Sequence, residues 1–261
     1  MTKKLFISML ALLAIATTAG AQENSIDGHE YVDLGLESGT LWATCNVGAD
    51  NPEDYGDYFA WGETEPKENY SWDTYKWGKK DALTKYTGSD GLTVLEAADD
   101  AATANWGEGW RMPTKDEIKE LFDNTTNEWT ELNGVSGRKF IAENGNSIFL
   151  PASGYRDGGS LYGVGSSGRY WSSSLYESNP ANACGLFFNS NFAEWYEDYR
   201  RFGQSVRPVI GKDDIPTGIG APLNDNGQLT NDSWYSIDGK RLNSEPTQKG
   251  VYIKNGKKVV K

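Results

Sequence analysis

The run Gly168-Arg-Tyr-Trp-Ser-Ser-Ser174 sets three hydroxyls, Ser172, Ser173 and Ser174, directly behind a tryptophan. Such a run would supply a nucleophile if a base stood within hydrogen-bond reach. The only histidine is His29, near the N-terminus, and a triad demands a geometry that nothing in this spacing provides. No Gly-x-Ser-x-Gly elbow is present. The expected role of the serines is therefore to satisfy loop backbone groups at a tight strand start, and no catalytic residue is assigned. Asp99 and Asp100 are adjacent, and neighbouring helical residues point about 100° apart, so they do not form a proton-sharing dyad. A solvated or loop-capping role is expected instead. One histidine and two distant cysteines make no zinc set, and no phosphate-cradling glycine motif with its lysine occurs. No metal or cofactor is expected.

Cys45 and Cys184 each fall in a strand-like run. In an oxidising compartment they would form one disulfide or remain two buried thiols, and the sequence leaves both open. The stretch most suited to binding is residues 189–203, NSNFAEWYEDYRRFG, where Phe192, Trp195, Tyr196, Tyr199 and Phe202 alternate with Glu194, Glu197, Asp198, Arg200 and Arg201. Aromatic rings stack on apolar faces and anchor interfaces, and arginine adds a planar hydrogen-bonding fork. Trp195, Tyr196, Tyr199 and Arg200 are the expected ligand-binding residues, with Tyr155 and Tyr162 flanking the same surface. The competing reading is that these rings fill the core. Trp171, which opens a strand-like run, is expected to be buried. A second aromatic run, NYSWDTYKW at residues 69–77, is a further candidate surface.

The elements that would position these groups follow from pattern. Lys3 and Lys4, an apolar stretch from Leu5 to Ala16 and Ala19-Gly20-Ala21 read as a signal peptide over residues 1–21. The apolar stretch is shorter than the roughly 20 residues that span a bilayer, so a secreted or outer-surface location after periplasmic transit is expected, with no membrane span. The chain carries a net charge of −12, which argues against nucleic acid and anionic membranes as partners. Residues 232–261 hold seven basic and three acidic residues, so a positive tail follows a strongly negative body. Between them, residues 213–231 read as a Gly/Pro/Asn/Asp-rich linker. The tail, with Asp238-Gly239 and Asn255-Gly256 between strand-like runs, reads as a set of small hairpins.

Residues 22–212 form the expected main domain. Thr114, three residues before Glu117, signals a capping box, and Ile118, Leu121 and Phe122 form an apolar stripe behind it. A second helix is expected within Thr93–Asn105. Strands are expected at residues 31–34, 41–44, 57–61, 147–150, 183–188 and 205–210. Long glycine-rich loops separate them. The expected class is α+β, with two helices, short antiparallel strands and much irregular structure.

Six motifs in order, YVDLGLESGTLWATCNVGA, YGDYFAWGET, DDAATANWGEGWRMPTKDEIKEL, LPASGYRDGG, GRYWSSS and GQSVRPV, resemble the Fibrobacter-type major paralogous (FISUMP) domain of secreted Bacteroidetes proteins. The resemblance covers about residues 29–210 and implies a C-type-lectin-like fold with no established common activity. GWRMPTKDEIKEL is also similar to a helix start of formylglycine-generating enzymes, which raises an oxidoreductase alternative. That family's reactive cysteine pair lies near its C-terminal end, however, and Cys45 does not. RYWSSS…GQSVRPV is similar to the ligand-binding ends of variable lectin-fold proteins. Calcium sites of lectin folds use Glu-Pro-Asn or Gln-Pro-Asp triplets. Glu65-Pro66-Lys67 and Asn179-Pro180-Ala181 lack the third oxygen ligand, so a sugar site of that type is not expected. The tail YSIDGKRL…KGVYIKNGKKVVK resembles C-terminal sorting segments of the type IX secretion system, which implies contact with an outer-membrane export machinery. The expected function is a non-enzymatic binding module for a glycan or protein at the cell exterior, the alternatives being the oxidoreductase and a ligand-free structural surface protein.

Overall fold

The computed structural model describes residues 24–214, 234–236, 241–242, 246–247, 249–254 and 257–260. The expected signal peptide, nearly all of the expected linker and the two tail turns, Asp238-Gly239 and Asn255-Gly256, lie outside the described residues. In chain order, β1 (His29–Asp33) and β2 (Thr40–Ala43) are followed by α1 (Ala101–Trp106) and α2 (Lys115–Asp123). A first antiparallel meander comprises β3 (Thr125–Leu132), β4 (Val135–Ala142) and β5 (Ser147–Pro151). A short ribbon, β6 (Tyr155–Asp157) and β7 (Ser160–Tyr162), leads into a second meander of β8 (Ser167–Leu175), β9 (Asn182–Asn189) and β10 (Ala193–Tyr199). Finally β11 (Val209–Gly211) returns to pair with β2, setting Val209 opposite Trp42. A separate four-stranded sheet in the tail joins Arg241–Leu242, Trp234–Ser236, Val251–Lys254 and Lys257–Val260.

This architecture corrects the expected fold class. Strand accounts for 43% and helix for 10% of the structure, in several small antiparallel sheets. The fold is predominantly β and is not an α+β C-type-lectin-like domain. The physical reason lies in three segments. The sequence reading passed over residues 125–142, which form the eight-residue pair β3 and β4. Their connection is Asn133-Gly134, with φ of 50° and 83°. Two successive left-handed residues make the turn whose twist matches a two-stranded ribbon. The GRYWSSS run is the body of a nine-residue strand, β8, and the aromatic run expected as a connection is strand β10. Conversely, residues 57–61 make only an isolated bridge, Phe59 to Gln204, and the expected Thr93–Asn105 helix shrinks to a 3₁₀ turn at Ala97–Asp99 followed by the six residues of α1.

The adjacent aspartates explain that shortening. Asp100 is the N-cap of α1, accepting from the backbone N–H of Ala102 at 2.9 Å and Thr103 at 3.0 Å. The same buried carboxylate accepts from Met112 N at 2.9 and 3.1 Å, which fixes the approach to α2. Burial nonetheless raises its pKa, the backbone donors offsetting only part of the desolvation. Asp99 turns the other way, to Lys76, Lys85 and the Tyr86 hydroxyl. The capping box forms as expected: Thr114 Oγ1 accepts from Glu117 N, and Glu117 Oε2 accepts from Thr114 N at 2.7 Å. Glu117 also takes both ends of the Arg111 guanidinium and the Thr40 hydroxyl, tying α2 to β2.

Tryptophans dominate the interior. Trp61, Trp110 and Trp171 are fully buried in one cluster, and Trp42 sits in a second with Ile118, Leu121, Phe140, Leu150, Tyr170 and Phe188. The three serines knit these clusters together at a register break in β8. Ser172 Oγ donates to Cys184 O at 2.7 Å, Ser173 Oγ donates to Pro113 O at 3.3 Å, and Ser174 Oγ accepts from Lys115 N at 3.0 Å. Trp171 Nε1 donates to Phe59 O and Trp61 Nε1 to Ser172 O, at 2.9 and 2.8 Å. The hydroxyls thus replace ladder bonds that the bulge removes.

Gly168 shows how tightly β8 is packed. A Cβ there would lie 2.1 Å from Phe188 Cζ. Gly168→Ala must displace a fully buried ring, and we expect a loss of about 1–3 kcal/mol in denaturant unfolding. A loss under about 0.5 kcal/mol, the scale of a neutral surface change, would show that Phe188 is not held against this strand.

Candidate ligand-binding surface

Arg200 is the hinge of the expected binding run, and it points inward. Its side chain is fully buried. Nε donates to the Tyr75 hydroxyl at 2.8 Å, Nη1 to Pro180 O and Tyr86 O at 3.0 and 3.1 Å, and Nη2 to Lys85 O at 3.1 Å. The guanidinium also lies against the rings of Trp61, Tyr75 and Tyr86, at 4.7, 5.3 and 5.7 Å from their centroids. Among the described residues no carboxylate forms an ion pair with it, and burial lowers its pKa from the usual arginine value. Arg200 therefore holds loops together and is not available at the surface, contrary to the role expected of it. Because it turns in, its neighbours Tyr199 and Arg201 are left toward the outside.

What assembles outside is a row of rings. Tyr155 and Tyr162 face each other across the β6–β7 ribbon, with centroids 5.6 Å apart and planes 30° from parallel. The Arg169 guanidinium lies 3.8 Å over Tyr155. In β8, Arg169 stands opposite Phe187 of β9, which in turn stands opposite Glu194 of β10. Phe187 contacts Tyr196 at 5.8 Å and the exposed Phe192 at 5.7 Å. A branch runs from Tyr155 through Phe202 and Tyr199 to Trp72, each step between 5.4 and 5.9 Å. The expected residues Tyr155, Tyr162, Tyr196 and Tyr199 thus come together, and part of the 69–77 run joins them. Its other rings are turned inward, Tyr70 and Tyr75 buried and Trp77 half-buried against the core.

A polar network underlies the row. Arg169 Nη1 donates to Asp198 Oδ2, Gln204 Nε2 reaches the same oxygen at 3.3 Å, and Tyr196 donates to Gln204 Oε1. Burial raises the pKa of Asp198 despite Arg169, and it pushes Tyr196 far above the usual phenol value. Arg201 pairs with Asp157 and donates to Tyr70 O, and Lys80 Nζ donates to the Tyr199 hydroxyl at 3.0 Å. The sequence did not single out Arg169, Phe187 or Gln204, and Asp198 stood in the candidate run without an assigned role. The signal was the alternation along β8 and β9, in which Arg169 and Phe187 occupy the face opposite buried Tyr170, Leu186 and Phe188.

Trp195 stands apart. Alternation puts it on the other face of β10 from Tyr196, where Lys115 Nζ, from the start of α2, lies 3.9 Å over its ring. It is 38% exposed, so it marks the α2 side of the sheet edge rather than the row. Two cavities also lie elsewhere. One of ≈ 400 Å³ is lined by Val32, Leu132, Ile148 and Phe149, and one of ≈ 450 Å³ by His29, Cys45, Asp50 and Trp106. His29 stacks on Trp106 at 3.7 Å, and burial lowers its pKa.

Cys45 and Cys184 are both free, so the disulfide alternative is not realised. Cys184 is buried in β9 with its Sγ 3.7 Å from Leu175 O, and burial raises its thiol pKa. Cys45 is half-buried at its cleft. A thiol reagent added to the native protein is expected to label Cys45 alone, with Cys184 reacting only after unfolding, as peptide mapping would show. Equal labelling of both in the native state, or of neither, would contradict these environments.

A family model described as a domain of unknown function (DUF8237) matches residues 119–209, a span from α2 to the start of β11 that contains both meanders and most of the aromatic row. A search of the curated proteins and a search of the solved structures each find no match.

Proposed function

We propose that this chain is an exported, non-enzymatic binding module that receives its ligand on the aromatic row. The observation that carries the reading is the assembly of Tyr155 and Tyr162, Arg169, and Phe187 and Phe192 from three chain segments into one connected row, which Phe202 links to Tyr199. Rings packed edge to edge on short strands are held rigid, so a ligand does not have to order them on binding. The exposed members, Tyr162 at 49% and Phe192 at 45%, mark the two ends.

Several features of the sequence support the remaining parts of the proposal. The N-terminal signal pattern favours export to the exterior, and the basic tail favours passage through a type IX-like machinery. The resemblance of the six motifs to the FISUMP domain supports a secreted binding role, although the lectin-like fold it implied is overturned. The serines, spent on backbone carbonyls and amides, do not favour a hydrolase, and the separation of the two free thiols does not favour the oxidoreductase alternative.

Tyr162→Ala removes an exposed ring and nothing from the core. On an array of glycans and host-surface proteins it is expected to weaken whatever the parent retains by about tenfold, equivalent to about 1.4 kcal/mol, with an unchanged melting temperature. Trp195→Ala, on the other face, is expected to bind as the parent does. The reading fails if Tyr162→Ala binds normally and Trp195→Ala does not.

A further inference from the structure

The charges around the row narrow the ligand class. The body of this protein, residues 22–231, is strongly acidic, since a tail with seven basic and three acidic residues still leaves the chain at −12. The row departs from that background. Arg169 is matched by Asp198 and Arg201 by Asp157. At its margins, Lys79 is matched by Asp73 at 2.8 Å. Lys80, Arg156, Asp81 and Glu194 are the remaining charges, two of each sign, and none makes an ion pair among the described residues. The face is thus electrically balanced within a negative molecule.

Balanced charge and stacked rings select against two ligand classes. An anionic chain would gain nothing from guanidinium groups already held by their own carboxylates, and it would approach against the field of the whole body. Balanced charge also removes the electrostatic steering that speeds association with a charged protein partner. The row does offer flat apolar ring faces flanked by fixed hydrogen-bonding groups: the Tyr199 hydroxyl with Lys80, the Asp198–Gln204–Tyr196 network, and the edge of Arg169. The two exposed rings, Tyr162 and Phe192, sit at opposite ends of a path through Tyr155, Arg169 and Phe187. That is the shape for an elongated ligand with more than one apolar face and hydroxyls at its rim.

We infer that the ligand of the aromatic row is an uncharged polysaccharide, laid along the path from Tyr162 to Phe192 and contacting the protein by ring stacking and neutral hydrogen bonds. This rests on the binding-module reading above and adds the chemical class to it.

Affinity electrophoresis of the full chain separates the two levels. The gels would contain mannan or a soluble β-glucan as neutral probes, and alginate or pectate as acidic ones. Retardation is expected in at least one neutral gel and in neither acidic gel. It should be unchanged between about 50 and about 500 mM NaCl, a range over which screened charge–charge attraction collapses. Tyr155→Ala, Tyr162→Ala and Phe192→Ala should each weaken it about tenfold. Retardation by the acidic polymers, lost as salt rises and in the ring variants, would overturn the uncharged class while leaving the surface in place. Retardation that the ring variants do not change would overturn the surface itself. Absence of retardation in every gel, with the ring variants instead losing a protein on the array, would overturn the polysaccharide assignment and keep the module.

Discussion

A buried guanidinium without a carboxylate organises this molecule. Arg200 satisfies its donors with one phenol and three backbone carbonyls, and it spreads its charge against three rings. Removing an arginine from water is costly unless its hydrogen bonds are met. The segments that meet them, around Tyr75, Lys85 and Pro180, are therefore held wherever Arg200 requires. They are long loops with little regular structure of their own, and the cation acts as their common fastening. Arg207, buried near the start of β11, is held less completely: it donates to Asn46 Oδ1 and Ala43 O, and its Nη2 has no hydrogen-bond partner among the described residues.

The aromatic face follows from this inward turn. The chain turns at residues 200–201, just past the end of β10, and the turn takes Arg200 inside while Tyr199 and Arg201 stay half-exposed. On the other side of the sheet the serines of β8 act in the same sense. By bonding to Cys184 O, Pro113 O and Lys115 N they bridge the register break that follows Trp171 and hold that end of β8 against the core. The row of rings is the outer side of a polar frame whose inner side is buried. Its rigidity comes from that frame and from the rings' own contacts rather than from any ligand.

Much of this was legible in residue order, and the failures have physical causes. The capping box at Thr114 and Glu117 is local chemistry between residues three apart, so it could be read directly. The β1, β2, β5 and β9 segments were recognisable as apolar runs. The β3–β4 hairpin was not, because its strands are largely polar, and the Asn133-Gly134 turn between them was the available signal. Missing it, together with β10 and the full length of β8, turned a mostly β chain into an expected α+β one. The aromatic face was found in outline, since tyrosines around 155, 162, 196 and 199 were singled out together. Arg200 was misplaced because its burial depends on partners 20 to 125 residues away, which no local pattern reveals. Arg169 was overlooked for the same reason, its role being fixed by Asp198 and Tyr155.

The central claim is that one rigid face, the row from Tyr162 to Phe192, meets the ligand. Hydrogen–deuterium exchange with and without saturating mannan or β-glucan tests it most directly. The account predicts added protection confined to residues 155–163 and 187–203, with the cavities at Phe149 and Cys45 unchanged. Protection centred on those cavities, or on the α2 side around Trp195 and Lys115, would contradict it.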